Sequence, residues 1–313
     1  RTRLRDALQY RMPDYAQTRA MRSFNANAAI RDRVRGLTAM QAIERIAAQF
    51  DQQRGAVVEK LERIAAYVAA HRAVCMSIVG EDQSVAQARA WLDGFQASAQ
   101  AVTPCAVDVP PRAAEYEGLS LAAQVAANAC VMPLEAAARD VPALVLLAQQ
   151  MSYGYLWERV RVQGSAYYAA ASFRHGLRVF GLVSGDDPNI AQTLQVFAGL
   201  CDHIETEMDL SAAGIEQAII GTLKRYDRPI RGLDACHDAL QDYLQGVTPA
   251  YERREREYLL SVTGADVRRI SAELLRPAFT QAAVCVMAGQ ELLARAQQEL
   301  APRTLRVTPA VGD

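Results

Sequence analysis

A helical stripe followed at once by two strand-like runs is the feature of this sequence that most restricts its fold. Apolar residues recur at steps of three or four residues, which predicts a helix with one buried face. They are Leu144, Leu147, Met151 and Tyr155, with Leu156 and Val160 in the adjacent row. Segments 167–173 and 177–184 then mix aromatic and aliphatic residues on either side of His175-Gly176, which predicts two strands joined by a short turn.

The connections on both sides of these strands carry polar groups at defined places. Gly164 is predicted to end the helix, because glycine adopts the left-handed conformation at little steric cost. Arg161 then lies near the helix end, and Tyr167 lies at the start of the first strand. After the second strand, Asp187 is predicted to cap a new helix, with Pro188 in its first turn.

This arrangement resembles the pitrilysin and insulinase family of zinc metallopeptidases, and most closely its presequence-protease branch. In that family a helix ends in Arg, two residues, Gly, a small residue, Ala and Tyr, and a later strand runs into Asp-Pro-Asn. The matching positions are Arg161, Gly164, Ala166, Tyr167, Asp187, Pro188 and Asn189. The positions that depart from the usual family residues are Ser165, Tyr168, Gly185 and Asp186. The resemblance covers nearly the whole chain, and the departures concern substrate preference.

The resemblance implies a protein of two similar halves that close like a shell around a peptide. The family's zinc is held in the amino-terminal half by a His-x-x-Glu-His helix. The histidines of this sequence are His71, His175, His203 and His237, and no two of them are four residues apart. We therefore expect the chain to be a fragment, the carboxy-terminal half, with no metal or cofactor of its own. Zinc is expected in the missing amino-terminal half, which would be its partner.

The resemblance also implies roles for two residues. Tyr167 would donate a hydrogen bond to the scissile carbonyl oxygen, and Arg161 would bind a carbonyl or acidic group of the peptide beside it. The expected function is that of the carboxy-terminal half of a zinc metalloendopeptidase, which degrades unfolded peptides in a closed chamber and is inactive alone. The purely structural alternatives are a solvated helix-end cation for Arg161 and a half-buried strand aromatic for Tyr167.

Two other functional hypotheses stay open at the level of sequence. The chain is alternatively a separately encoded, non-catalytic subunit of the same family that binds peptide or acts as a scaffold. A His-x-x-Glu-His segment upstream in the same reading frame would favour the enzyme over this subunit. A purely helical interaction module is the third hypothesis, and it predicts no sheet near Tyr167.

A pattern that occurs twice in the sequence indicates two domains. Segments 73–80 and 283–289 both have the pattern of a strand followed by a glycine turn, and an amphipathic helix follows each of them. Thr263 with Asp266 predicts a capping box at the last helix before the second of these strands. We therefore predict an α+β protein of two α/β sandwich-like domains, in which helices are layered on mixed or antiparallel sheets.

The predicted boundaries are 1–97 for the first domain, 98–118 for a linker and 119–313 for a complete domain of the metallopeptidase C-terminal type. The linker prediction rests on Pro104, Pro110 and Pro111. The first domain lacks the upstream strands and helix that the second contains, so we expect it to be truncated at its N-terminus. The strand at 73–79 would then need material outside this sequence to pair with it or cover it.

Composition narrows the function classes further. The chain has 313 residues, 51% of them hydrophobic, which suffices for a large core. A net charge of -1 argues against nonspecific nucleic-acid binding, and no apolar run approaches the roughly 20 residues that span a bilayer. We therefore expect neither nucleic acid nor membrane as a partner. The locally basic first 35 residues are interpreted as a solvated face, or as a surface that meets a missing neighbour.

Cysteine and histidine usage argues against other chemistries. The six cysteines show no CxxC spacing, which indicates a reducing compartment such as the bacterial cytoplasm or, alternatively, an organelle matrix. His203 and Glu207 have a spacing that places two metal ligands on one helix face, but no other segment marks further ligands. This cluster is therefore interpreted as a solvated acidic face. Ser165 and Cys201 each lack a partner base, so nucleophilic catalysis is not predicted.

Overall fold

One mixed sheet organises the part of the chain that the structure describes. The computed structural model describes residues 8–70, 76–93, 116–224, 226–227, 229 and 231–311. Its strands are β1 (Tyr116–Ser120), β2 (Ala126–Pro133), β3 (Tyr168–Arg174), β4 (Val179–Asp187), β5 (Ala283–Ala288) and β6 (Arg306–Pro309). They form a six-stranded sheet in the order β3-β4-β2-β5-β1-β6. β1 is parallel to β5 and β6, whereas the pairings of β2 with β5, β2 with β4 and β3 with β4 are antiparallel.

The described residues also form helices, several of which pack on this sheet, and this confirms the predicted α+β class. The α-helices are α1 (Met12–Met21), α2 (Ala26–Arg35), α3 (Leu37–Ala48), α4 (Phe50–Ala70), α5 (Asp82–Asp93), α6 (Val141–Gln150), α7 (Ala191–Ala198), α8 (Leu200–Thr206), α9 (Ala212–Leu223), α10 (Leu233–Gln245), α11 (Pro249–Leu260), α12 (Gly264–Ile270), α13 (Arg276–Phe279) and α14 (Gln290–Glu299). Turns of π-helix form Met151–Tyr155, Trp157–Val162 and Ser271–Leu275. Across the described ranges, no helix has the length and apolar character that crossing a lipid bilayer requires.

The chain divides into two compact units that differ from the predicted domains. The first unit comprises 1–47, 108–223 and 255–313, and the second comprises 48–107 and 224–254. The difference arises because α1 packs on the sheet formed by later residues. The predicted linker, 98–118, lies outside the described residues except for its last three positions. Those positions belong to β1, in the interior of the sheet.

Helix α1 covers one face of the sheet. Side chains alternate between the two faces of a strand, so every second residue of β2, β4 and β5 points toward this helix. The buried cluster includes Met12, Tyr15, Ala16, Ala20 and Met21 from α1, and Ala127, Ala129, Val131, Val179, Val183, Ala283, Cys285 and Met287 from the strands. Burying a large apolar side chain contributes about 1.5–3 kcal/mol. This face of the sheet therefore depends on the N-terminal helix for its cover.

The predicted helix packs against the predicted hairpin. Helix α6 packs on β3, and α7 and α13 contact β2. The six residues of the predicted stripe are all buried. β3 and β4 pair antiparallel and are joined through a short 3-10 turn at His175–Leu177, which confirms the predicted pair of strands.

The second copy of the repeated pattern, at 283–289, is confirmed. β5 is followed by Gly289 and then by α14, and the capping box of Thr263 and Asp266 is present at the start of α12. The first copy has a different outcome. Residues 71–75 of its predicted strand lie outside the described residues, and residues 76–79 are not assigned to a strand. The pairing of that segment with external material stays a prediction.

The described residues of the second compact unit, 48–70, 76–93, 224, 226–227, 229 and 231–254, form helices joined by turns and irregular segments, with no strand among them. No side chain of α4 is buried. Leu61, Ile64 and Val68, which recur along α4 at steps of three or four residues and form an apolar stripe, are each more than half exposed. Among the residues that the structure describes, this stripe covers no core.

Two arginines of the basic N-terminal segment are buried in an ionic network. Arg19 Nε donates to Glu117 Oε2 at 2.8 Å and its Nη2 donates to Oε1 at 2.9 Å, which makes a bidentate pair. Asp32 Oδ2 lies 3.2 Å from Arg19 Nη1 and 3.5 Å from Arg22 Nη1. The interpretation of this segment as a solvated face is therefore wrong for Arg19 and Arg22. Opposite charges replace the water that these groups lose on burial.

The network also sets the titration of Glu117. Burial acts to raise the pKa of Glu117, but the hydrogen bonds from Arg19 and the charges of Arg19, Arg22 and Arg306 outweigh burial and lower it. A carboxyl whose pKa is lower in the folded state contributes stability above its unfolded pKa. That contribution is lost as the pH falls through the folded pKa.

Replacing Arg19 by Met is expected to lower the free energy of unfolding by about 3 kcal/mol, because Glu117 keeps its charge inside the protein and loses its bidentate partner. Urea unfolding near neutral pH measures the loss. Arg11→Met is the matched control, since the Arg11 pair with Asp14 is solvent-exposed and should contribute less than about 1 kcal/mol. The deficit of Arg19→Met should shrink in acid as Glu117 becomes protonated. A deficit independent of pH would contradict this account.

Candidate functional site

The helix that carries Arg161 changes from α to π winding at Met151. Helix α6 ends at Gln150, and most of the next twelve residues form π turns, in which an N–H bonds the carbonyl five residues earlier. Gln163 N, for example, donates to Glu158 O at 2.9 Å. The π-helix is rare in proteins and is frequently found at functional sites. The sequence predicted a helix here but gave no sign of its wider winding.

Side chains on the inner side of the π-helical region fix it to its neighbours. Tyr155 donates its hydroxyl to Val196 O at 2.8 Å, and its ring stacks on His203 with centroids 4.4 Å apart. Burial raises the pKa of Tyr155, so the hydroxyl stays protonated and can donate at neutral pH. Ser152 Oγ accepts from Ala171 N at 2.8 Å and so covers part of the outer edge of β3.

Arg161 and Trp157 are in contact within the second π-helical segment. The guanidinium carbon of Arg161 lies 3.7 Å from the centroid of the Trp157 ring. Arg161 Nε is buried and has no hydrogen-bond partner in the described part of the chain. Its terminal nitrogens likewise make no ion pair or hydrogen bond with any described residue. Arg161 is therefore held by stacking and keeps its terminal donors available.

A tight turn follows Arg161. Ser165 N donates to Arg161 O at 2.9 Å, and Ser165 has a left-handed φ of 63°. The residue that reverses the chain is therefore Ser165, and the prediction of a left-handed Gly164 is wrong. Gly164 is required for space instead, because a Cβ atom there would come within 2.5 Å of the Val160 carbonyl oxygen.

Asp187 is a buried acceptor of four hydrogen bonds. Its carboxylate accepts from Ser184 Oγ at 2.7 Å, Thr193 Oγ1 at 2.8 Å, Asn128 Nδ2 at 3.0 Å and the backbone N of Asn189 at 2.9 Å. Burial raises the pKa of Asp187, and these four donors oppose the shift. The carboxylate thereby joins β2, β4, the following loop and α7.

The Asp-Pro-Asn segment ends a strand and does not begin a helix. Asp187 is the last residue of β4, and α7 begins at Ala191 after the N-cap residue Ile190, so the predicted capping role of Asp187 is wrong. The Asn189 side chain instead donates Nδ2 to Gly164 O at 2.7 Å. The loop after β4 thus holds the turn that follows Arg161.

Tyr167 is exposed at the same end of the sheet. It immediately precedes β3, which begins at Tyr168, and its backbone N donates to Asp186 O at 3.3 Å. Its side chain is 75% exposed, and its hydroxyl bonds no described residue. Because of this exposure, Tyr167 is not a half-buried strand aromatic. A concavity of about 600 Å³ borders the neighbouring residue Asp186 and is also lined by Gln9, Met12, Ala122, Ala123, Gln124 and Val125.

The described residues hold no cluster of three or more His, Cys, Asp or Glu side chains with the arrangement of a metal site. His203 and Glu207, which the sequence placed on one helix face, bond each other at 3.0 Å between Nδ1 and Oε2. Burial raises the pKa of Cys130 to about 12 and also raises that of Cys201. Both thiols are therefore protonated near neutral pH and are poor nucleophiles.

The contacts of three residues in this region were not predicted from the sequence. Trp157 lies four residues before Arg161, and that spacing is the signal for a side-chain contact on one helix face. Ser152 and Asn128 interrupt runs of mostly apolar residues. A polar residue in such a run is expected to have a hydrogen-bond partner when buried, but the sequence does not say which one.

The sequence that forms this region is similar to known proteins. Residues 134–288 match the family model of the PreP C-terminal domain. The chain is 30% identical over 151 residues to the protein HypA of Clostridium perfringens, covering 48% of this chain and 15% of that protein. It is 24% identical over 279 residues to the mitochondrial presequence protease of Yarrowia lipolytica, covering 87% of this chain and 28% of that protein.

A solved structure extends the comparison to the fold. An inactive peptidase domain from Pseudomonas fluorescens aligns with a TM-score of 0.50 at 11% identity, covering 72% of this chain and 53% of that one. At this identity the similarity concerns the fold alone. The chain spans 15 to 28% of the length of the two curated relatives, so the activities of those whole proteins do not transfer directly.

Asp187→Asn is expected to lower the free energy of unfolding by about 2–4 kcal/mol, because a carboxamide presents only one acceptor oxygen to four buried donors. Asp186→Asn is the matched control. Its side chain is exposed and its backbone is left-handed, a conformation that asparagine tolerates, so its stability should change little. Urea unfolding of both variants measures the difference. Equal stabilities would show that the Asp187 carboxylate does not hold this region together.

Proposed function

Because this chain belongs to the pitrilysin and insulinase family of peptidases, within its presequence-protease branch, we propose that it is the carboxy-terminal half of a zinc metalloendopeptidase. The complete enzyme degrades unfolded peptides inside a closed chamber, and this half is inactive alone. One observation carries the proposal. Arg161 and Tyr167 keep donor groups unpaired within the described residues, at the two ends of one turn held by hydrogen bonds.

Tyr167 is proposed to stabilise the charge that develops on the scissile carbonyl oxygen. A phenol hydroxyl is a hydrogen-bond donor at neutral pH, and such a donor acts best at about 2.7–3.1 Å from the oxyanion. The exposure of Tyr167 and the absence of a described partner for its hydroxyl support this role. Its backbone is fixed by Asp186, so the donor is attached to a rigid strand end.

Arg161 is proposed to hold the peptide beside the reacting bond. The planar guanidinium presents two terminal nitrogens that bind a carboxylate in a bidentate manner or a backbone carbonyl singly. A backbone carbonyl is present at every position of an unfolded peptide. Recognition through such groups suits a protein that degrades peptides of many sequences.

The proposed partner is an amino-terminal half that bears the zinc. Zinc in that half would supply the activated water. The residues of this chain would bind and orient the peptide. The compartment is proposed to be reducing, such as the bacterial cytoplasm or an organelle matrix, and the described cysteines 130, 201, 236 and 285 are free thiols.

Tyr167→Phe is expected to reduce turnover by about 100-fold to 1000-fold once the chain is combined with a zinc-bearing half, because the variant lacks only the hydroxyl donor. A fluorogenic unfolded peptide reports the rate. Folding should be unaffected, since the hydroxyl has no described partner and the side chain is exposed.

Tyr153→Phe is the matched control for this experiment. Tyr153 is also 75% exposed, it lies in the first π-helical segment, and the proposal gives its hydroxyl no role. Its removal should leave turnover within about 2-fold of the unmodified chain. If Tyr167→Phe behaved in the same way, the catalytic role of Tyr167 would be excluded, and a non-catalytic subunit would explain the fold better.

A further inference from the structure

The stacking of Arg161 on Trp157 assigns a task to a residue outside the family motif. We infer that Trp157 is a positioning residue, whose indole holds the Arg161 guanidinium in place so that its terminal nitrogens meet the peptide. The inference rests on the proposed peptide-binding role of Arg161. It predicts that the ring of Trp157, and not merely its bulk, determines how well peptide binds.

The geometry of the contact is that of a close cation–π interaction. Such interactions are attractive when the cation lies within about 6 Å of the ring centroid, and Trp is the strongest partner. Arg161 lies at 3.7 Å, whereas the cations over Tyr15 and Tyr116 lie at 5.7 and 5.6 Å. Trp157 is 42% exposed, so more than half of its surface is shielded from water. Partial desolvation strengthens this kind of contact.

The unpaired nitrogen donors of Arg161 support the binding of a ligand at the end of its side chain. Nε is buried without a partner among the described residues. A buried, unsatisfied donor in a native structure calls for an explanation, and a functional role is one of the recognised reasons. The stack compensates part of the desolvation of the guanidinium, while the terminal nitrogens remain free to bind.

The backbone prepares the same arrangement. Trp157 and Arg161 lie in one π-helical segment, Trp157–Val162, and the hydroxyl of Tyr155, two residues before this segment, donates to Val196 O. The turn after Arg161 is held through Ser165 and Gly164. An arginine side chain loses much conformational freedom when it binds a ligand, and ordering it beforehand reduces that loss. The expected benefit is tighter peptide binding rather than faster chemistry.

Cleavage by the chain combined with a zinc-bearing half tests this role. Trp157→Leu should raise KM by about 10-fold with little change in kcat, and Trp157→Phe, which keeps a ring, should raise KM by only about 2-fold. Tyr153→Leu, an exposed aromatic one turn earlier with no arginine on its ring, should leave both constants unchanged. The double variant Arg161→Met with Trp157→Leu should have the same KM as Arg161→Met alone. The reason is that Arg161→Met already removes the stacking interaction that Trp157→Leu would remove.

A spectroscopic test uses the chain alone. Trp91→Phe leaves Trp157 as the sole tryptophan, since the sequence contains two. In that background, Arg161→Met should change the fluorescence and near-ultraviolet circular dichroism of Trp157. Unchanged spectra would overturn the inference even if Trp157→Leu failed to fold.

The cleavage results separate this inference from the function on which it rests. If Arg161→Met impairs cleavage and Trp157→Leu does not, Trp157 has no positioning role and the proposed function stands. If Arg161→Met leaves cleavage unchanged, the proposed role of Arg161 fails, and the role of Trp157 fails with it. An equal rise in KM for the Phe and Leu variants would identify a packing effect and exclude the cation–π account.

Discussion

The buried carboxylate of Asp187 is the interaction on which the candidate site depends. It accepts hydrogen bonds from a residue of β2, a residue of β4, the loop that follows β4 and a residue of α7. In a low-dielectric interior such a cluster is costly when incomplete and specifies one geometry when complete. Through Asn189 the same loop holds the turn between Arg161 and Tyr167. The hydrogen bonds around buried Asp187 therefore hold the backbone next to Arg161 and Tyr167, whose own side chains are partly or largely exposed.

Local features of the fold were predictable because they leave local signals. The helical stripe from Leu144 to Val160, the two strands that follow and the capping box at Thr263 each depend on spacings of a few residues, and each is confirmed. The cover of the sheet by α1 was not predictable. Arg19 and Glu117 lie 98 residues apart, and their pairing leaves no mark in periodicity or composition. The predicted domain boundaries and the observed compact units differ for this reason.

The candidate site shows the same division. The resemblance identifies the residues of the motif, whereas the structural roles of Gly164 and Asp187 differ from those that the sequence predicts. An aspartate before Pro-Asn suits a helix cap and also suits a buried acceptor, and only the position of α7 decides between them. Likewise, glycine suggested a left-handed turn, but Ser165 adopts that conformation and Gly164 provides room for a carbonyl. The π winding before Arg161 was not predictable, because the spacing of apolar residues does not distinguish a π-helix from an ordinary α-helix.

The position of α1 on the sheet governs how this protein can be shortened for laboratory work. A recombinant piece cut at the sequence-derived boundary, residue 119, would retain the whole motif from Arg161 to Asn189. It would also lose α1 and most of β1, leaving Val131 and Met287 without cover. Apolar strand faces of this kind invite self-association. Expression boundaries should therefore begin ahead of Met12, although nothing in the motif itself points to that requirement.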